Sequence, residues 1–223
     1  MNKRINIMAT IKDGVALALL NYLSLVLTTV LYIVTLWVPY INVGTTIAMC
    51  SLPAEMAKGN VINPLFIFDG KYRSNMGEFF ILYALMTGAI LVGLFFMVIP
   101  GIVISIAWTY ALVLFVDKNM SALDSLRESN RLTYGNKWRI FAAQFLVAFC
   151  LQISVAVVQA LFNIGDASWL DAIGTIIVVA LVIFTIPALI GVDASIYKQL
   201  TTGNFVGEDP DQAAQPADEA PKA

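Results

Sequence analysis

The sequence predicts an all-α polytopic membrane bundle of six transmembrane helices carrying one amphipathic helix on the cytoplasmic side. Three observations lead there. Hydrophobic residues make up 59% of the 223 and charged residues only 13%, against about 25% charged in a soluble domain, whose surface must be hydrated. Mean hydropathy is +0.81, and the charges are confined to short segments between long apolar runs. All thirteen Lys and Arg then fall on one set of alternate connectors, which fixes an orientation.

The elements follow in order. Residues 1–14 are basic, with Lys3, Arg4 and Lys12, like the n-region of a signal peptide. The apolar run behind them, Val15 to Val38, is 24 residues, longer than a signal core, so an uncleaved first span over 15–38 is expected. Ile5, Met8 and Ile11 stand at helical spacing, so the preceding segment suits a helix lying flat on the surface. No charge occurs between Asp13 and Glu55, too long a run for one crossing of about 30 Å. Pro39 divides it, with Trp37 and Tyr40 as interfacial anchors, giving a second, more polar span over 40–57. Lys58 to Gly77 is a polar connector, and Glu78 opens a third span over 79–99. Ala84/Gly88 and Ala89/Gly93 there have the spacing that lets helix backbones approach closely.

Pro100-Gly101 predicts a hairpin, since proline cannot extend a helical ladder and glycine accepts unusual dihedrals. The fourth span, 102–116, is about 22 Å long. Residues 121–134 predict a separate surface helix: Ser121 caps it, Asp124 occupies its third position, and Gly135 suits a left-handed stop. Leu123, Leu126, Leu132 and Tyr134 form its apolar side, while Asp124–Arg127 and Glu128–Arg131 are spaced for ion pairs. The fifth span covers 140–162. A loop with Asp166, Trp169 and Asp171 leads to the sixth, 172–197, interrupted at Pro187. The transmembrane domain is thus 1–202. Residues 203–223, rich in Pro, Ala and acids, cannot bury enough apolar surface to order and form an acidic tail.

Six spans leave residues 1–14, 58–77, 117–139 and the C-terminus on one face. That face carries every Lys and Arg, so both termini are expected in the cytoplasm of a bacterial inner membrane. The connector 117–139 alone holds five of the thirteen: Lys118, Arg127, Arg131, Lys137 and Arg139.

The same region carries a resemblance. Ile99-Pro100-Gly101-Ile102, then Ser121-Ala122-Leu123-Asp124-Ser125-Leu126-Arg127-Glu128-Ser129, then Leu132-Thr133-Tyr134-Gly135-Asn136-Lys137-Trp138-Arg139-Ile140-Phe141 resembles multi-pass bacterial proteins related to the membrane domain of glycerophosphodiester phosphodiesterases. Residues 58–70 are similar to that group's second connector. The resemblance implies a six-helix architecture and no reaction, because catalysis in the phosphodiesterases belongs to a separate soluble domain for which this chain has no room.

Composition excludes several chemistries. The chain has no histidine, which removes Ser-His-Asp and Cys-His catalysis and histidine-ligated metal or haem. Cys50 and Cys150 lie in apolar runs and read as small hydrophobes. No basic patch with interleaved aromatics argues for nucleic acid. No enzyme, cofactor or metal site is expected. The candidate polar positions are Asp193 and Glu55, either a carboxylate pair or interfacial groups, with Lys58 the expected partner of Glu55. Trp108, Thr109 and Tyr110 either line a pathway with them or pack between helices. Arg127, Arg131, Lys137 and Arg139 are candidates for anionic lipid headgroups.

The leading reading is a non-catalytic scaffold or partner subunit whose connectors engage lipid or a membrane-protein partner. The alternative is a homo-oligomeric channel or transporter for ions or small solutes, with a pathway lined by the second, fourth and sixth spans. Gathering of Glu55, Asp193, Thr109 and Tyr110 around one cavity would favour transport; packed positions would favour the scaffold.

Overall fold

The computed structural model describes residues 4–162 and 168–206, without the side chains of residues 168–172 and 184. Every regular element among the described residues is helical: α1 Ile7–Leu20, α2 Tyr22–Thr35, α3 Pro39–Ala57, α4 Met76–Phe96, α5 Val98–Ala107, α6 Ala111–Asp117, α7 Ala122–Thr133, α8 Lys137–Phe162 and α9 Ser168–Thr202, with 3-10 turns at Pro64–Phe68 and Gly70–Arg73. Four stretches are long and apolar enough to cross a membrane, namely α4, 98–117, α8 and 173–202; a fifth arises if α1 and α2 are one bent span. Such helices mark a membrane protein. The predicted second span exists as α3 but is not among these four; it is the most polar of the predicted spans, and its Thr45 and Ser51 are buried.

The first predicted span is two helices bent by 77°. The cause sits at Asn21, whose side-chain oxygen accepts the Ile62 N–H at 3.0 Å. A residue that satisfies a connector amide there holds the chain at a corner. The N-terminal segment does not lie on the surface either. Ile5 is fully buried, and α1 runs along the C-terminal half of α9. Contact is close because both helices present glycine: a Cβ on Gly191 would lie 2.2 Å from the Gly14 carbonyl oxygen, and one on Gly14 would lie 2.5 Å from the Val192 Cα. A polar seam completes the joint, with Ser195 Oγ donating to Asp13 at 2.7 Å and Gln199 Nε2 to Thr10 Oγ1 at 3.0 Å.

The predicted hairpin at Pro100-Gly101 falls instead at Met97, the single residue with extended backbone between α4 and α5. Pro100 is the third residue of α5, where the first N–H groups have no intrahelical acceptor and a proline removes nothing. Gly101 serves close approach: its Cβ would meet the Leu94 side chain at 2.6 Å, and a Cβ on Gly93 would meet the Gly101 Cα at 3.0 Å. Gly88, the other predicted contact glycine, faces open space. The fourth span is broken over 108–110 into α5 and α6. In α9, by contrast, the helix runs unbroken through Pro187. The loop side chains Asp166, Trp169 and Asp171, and the acidic tail beyond residue 206, lie outside the described residues.

Packing is uneven along the spans. In the most apolar stretch of α8 no residue is buried and in that of α4 only 11% are, against 44% over 98–117. Buried residues gather at the connector end, where all the predicted cytoplasmic segments meet. The Ile5 N–H donates to Asn136 Oδ1 at 3.0 Å, Asn75 donates to Asn119 at 2.9 Å, and Lys58 pairs with Asp117.

Helix α7 begins and ends as predicted. Ser121 Oγ accepts the Asp124 N–H at 3.3 Å, and Gly135 has φ +82°. It is not a separate surface helix. Its buried face is Ala122, Ser125, Leu126, Ser129 and Thr133, whereas Leu123 and Tyr134 are exposed. Ser129 Oγ donates to the Ala107 carbonyl at 2.8 Å, a carbonyl left without a helical partner by the break at 108–110. Glu78 of α4 reaches the other end of α7, accepting the Ala122 N–H at 3.4 Å.

Candidate functional site

Two polar sites form at the connector end. The first is built by the end of α3. Asn60 N–H bonds the Glu55 carbonyl at 3.1 Å, Gly59 N–H bonds the Met56 carbonyl at 3.0 Å, and Gly59 has φ +79°. This paired-bond stop folds Lys58 and Asn60 back over Glu55. Lys58 Nζ then lies 3.2 Å from Glu55 Oε1, and Asn60 Nδ2 donates to Oε2 at 2.7 Å. The expected Glu55–Lys58 pair is therefore present, but Lys58 also reaches Asp117 at the end of α6. Asp117 in turn accepts the Tyr197 hydroxyl of α9 at 2.6 Å. The hydrogen bond that Lys58 donates to Asp117 holds the lysine's pKa above its ordinary range. One lysine thus joins α3 to α6, and Asp117 continues the link to α9.

Beside this chain lies a cavity of about 520 Å³ between α3, the Gly70–Arg73 turn and α6, onto which Glu55, Asp117, Lys71, Tyr72 and Ser51 open. Ser51 Oγ donates to the Ala48 carbonyl at 2.6 Å and stands 3.2 Å from the Tyr72 hydroxyl. Its one proton committed, Ser51 accepts from Tyr72.

The second site lies where α7 turns into α8. Asn136 and Arg139 clamp Ile5, Arg139 Nη1 donating to the Ile5 carbonyl at 2.7 Å. The clamp brings Arg4 beside Lys137 and Arg139, and with Tyr134, Gly135 and Trp138 they enclose about 350 Å³. Lys137 Nζ donates to Asn130 Oδ1 at 2.9 Å. Trp138 and Tyr134 are exposed at the rim.

Of the remaining predicted residues only Asp193 and Tyr110 come within electrostatic reach of each other, the Tyr110 hydroxyl being buried without a hydrogen-bond partner. Asp193 accepts from Gln144 Nε2 of α8 at 2.7 Å, so it has its own partner and does not pair with Glu55. Thr109 donates to the Ser105 carbonyl at 3.0 Å. Trp108 packs at the edge of one apolar cluster and Tyr110 inside another, its ring centroid 6.0 Å from that of Tyr197. Arg127 and Arg131 lie on the exposed side of α7, paired with Asp124 at 3.6 Å and Glu128 at 2.7 Å. The arginine holds the Glu128 carboxyl below its ordinary range. No group of three metal-ligating side chains occurs among the described residues. Cys50 and Cys150 are unpaired. Sequence reasoning missed Asp117, Tyr197, Arg4 and Asn136, since a polar residue ending an apolar run looks the same whether it faces water or a partner.

Fold and site together define a helical membrane protein whose polar interactions are concentrated at one end. No family model, curated protein or solved structure matches the chain.

Proposed function

We propose that this chain is a non-catalytic, multi-pass protein of the bacterial inner membrane, a scaffold or partner subunit whose cytoplasmic connectors engage anionic lipid headgroups. The observation that carries the reading is the basic cavity of Arg4, Lys137 and Arg139 with Trp138 and Tyr134 at its rim. Basic groups beside a span attract anionic headgroups, and aromatic rings with a polar edge settle at headgroup level. Arg127 and Arg131, whose charges are already paired, contribute less.

The six-span topology with cytoplasmic termini belongs to the same proposal, counting the bent α1–α2 pair and α3 as spans. Contact among the segments 4–6, 58–75, 117–139 and 197–206 supports it, since each pair of them must then be separated by an even number of crossings. The alternative channel or transporter needs its polar positions to share one pathway. Asp193 is instead bonded to Gln144 and Thr109 to its own helix, while the rings of Trp108 and Tyr110 pack in separate apolar clusters, which favours the scaffold.

The experiment is native mass spectrometry of the full chain released from bilayers of mixed phosphatidylglycerol and phosphatidylcholine. Preferential retention of phosphatidylglycerol, reduced in an Arg4→Gln/Lys137→Gln variant, is expected. Equal retention of both lipids by the unaltered chain would overturn the lipid reading.

A further inference from the structure

The cavity between α3 and α6 is separate from the basic one and differs from it in chemistry. One wall offers oxygen acceptors, the carboxylates of Glu55 and Asp117 and the hydroxyl of Tyr72. Each carboxylate oxygen has one partner: Lys58 and Asn60 on Glu55, Lys58 and Tyr197 on Asp117. An ionised carboxylate accepts about four hydrogen bonds, so Glu55, with a third of its side chain exposed, retains capacity on the cavity side, while Asp117 is buried with its Oδ1 out of contact with solvent and adds its charge. Tyr72 spends its proton on Ser51, as argued above, and presents its oxygen as an acceptor as well. The only cation among the lining side chains is Lys71. Its ammonium lies beside the Tyr72 hydroxyl, 4.8 Å from that ring's centre and 3.7 Å from an exposed Asp69. Its side chain is 63% exposed, so it stands at the mouth.

With Lys58 counted, two carboxylates face two ammonium groups, which disfavours a ligand of large net charge and suits one carrying both signs. The acceptor wall asks for a donor with several protons, and a primary ammonium has three. The volume of about 520 Å³ lies within the range of small-molecule sites. We propose that this cavity binds a small zwitterion, its primary ammonium against Glu55 and the Tyr72 oxygen, beside the buried charge of Asp117, and its anionic group at Lys71. A soluble metabolite and an aminated lipid headgroup share that chemistry.

Isothermal titration of the full chain in nanodiscs, with phosphoethanolamine as the probe, tests it. Saturable binding is expected, stronger than for ethanolamine or inorganic phosphate alone. Lys71→Gln removes one charge-assisted contact at an exposed position, so phosphoethanolamine should weaken about tenfold while ethanolamine is unchanged. Glu55→Gln, also on the accessible side of the cluster, should weaken both amines. Absence of saturable phosphoethanolamine binding to the unaltered chain overturns the proposal, as does binding that neither substitution alters. Competition by phosphatidylethanolamine, but not phosphatidylcholine, in the nanodisc would support the site and assign it to a headgroup; binding undisturbed by either lipid would support it and assign it to a soluble ligand.

Discussion

At the residue scale, glycine carries the closest helix contacts in this molecule. At Gly191 a methyl group would meet backbone, the Gly14 carbonyl oxygen at 2.2 Å, and backbone cannot rotate aside as a side chain can. Gly191→Ala should therefore separate α1 from α9 and lower stability by about 1–3 kcal/mol, as overpacking does elsewhere. Gly88→Ala, at a position with nothing within 4 Å, should leave the melting temperature in detergent unchanged or slightly raised. Asn21 is the other residue with a structural role beyond its size. Asn21→Leu keeps the branched shape and removes the acceptor of the Ile62 N–H, which should cost about 1–3 kcal/mol and expose the 58–63 connector to protease.

At the scale of the element, α7 shows how an amphipathic helix can dock through a face with few large apolar residues. Its contact side is mostly Ala, Ser and Thr, with Leu126 buried and Leu132 partly buried against the core as its large apolar residues, and the anchor is the Ala107 carbonyl that receives Ser129 and Thr133. Ser129→Val removes the shorter of these two bonds and leaves the carbonyl only the 3.4 Å contact from Thr133, a loss of about 1 kcal/mol readable as faster amide exchange over 122–133. The Glu128–Arg131 pair adds a pH dependence. Arg131 lowers the folded-state value of Glu128, so its contribution is present above the unfolded glutamate value and lost as pH falls through the folded one. Stability of α7 should decline on acidification through the range below about pH 4.3. In Glu128→Gln this part of the acid limb should vanish.

For the whole molecule, the connector end is the most buried part, and the apolar spans project from it in pairs, α4 with α5 and α8 with α9, leaving most of their outer surface exposed. The Lys58–Asp117–Tyr197 chain joins α3, α6 and α9 there. Asp117→Ala leaves the Tyr197 hydroxyl without its acceptor and Lys58 with Glu55 alone, and should destabilise the assembly by about 1–2 kcal/mol, seen as loss of extractable folded protein. The topology has its own test. In a background with Cys50 and Cys150 replaced, a single cysteine at Trp37 or Met97 should react with an impermeant maleimide in intact spheroplasts. One at Lys71 or Ser121 should react only after the membrane is opened.

The sequence by itself determined the all-helical membrane character, because lipid demands long apolar runs and excludes charge from them. Local motifs were legible for the same kind of reason: Ser121 and Gly135 bound α7 through their own backbone preferences, and Glu55 meets Lys58 within one turn. Tertiary structure alone decided where the chain bends. Met97 turns rather than Pro100, Asn21 makes a corner that hydropathy does not mark, and α9 passes Pro187 unbroken, since each outcome depends on what the neighbouring segment offers. The sites were hidden for a related reason. Arg4 with Lys137, and Lys58 with Asp117 and Tyr197, are far apart in the chain, and nothing in their local sequence specifies a partner until the helices have packed.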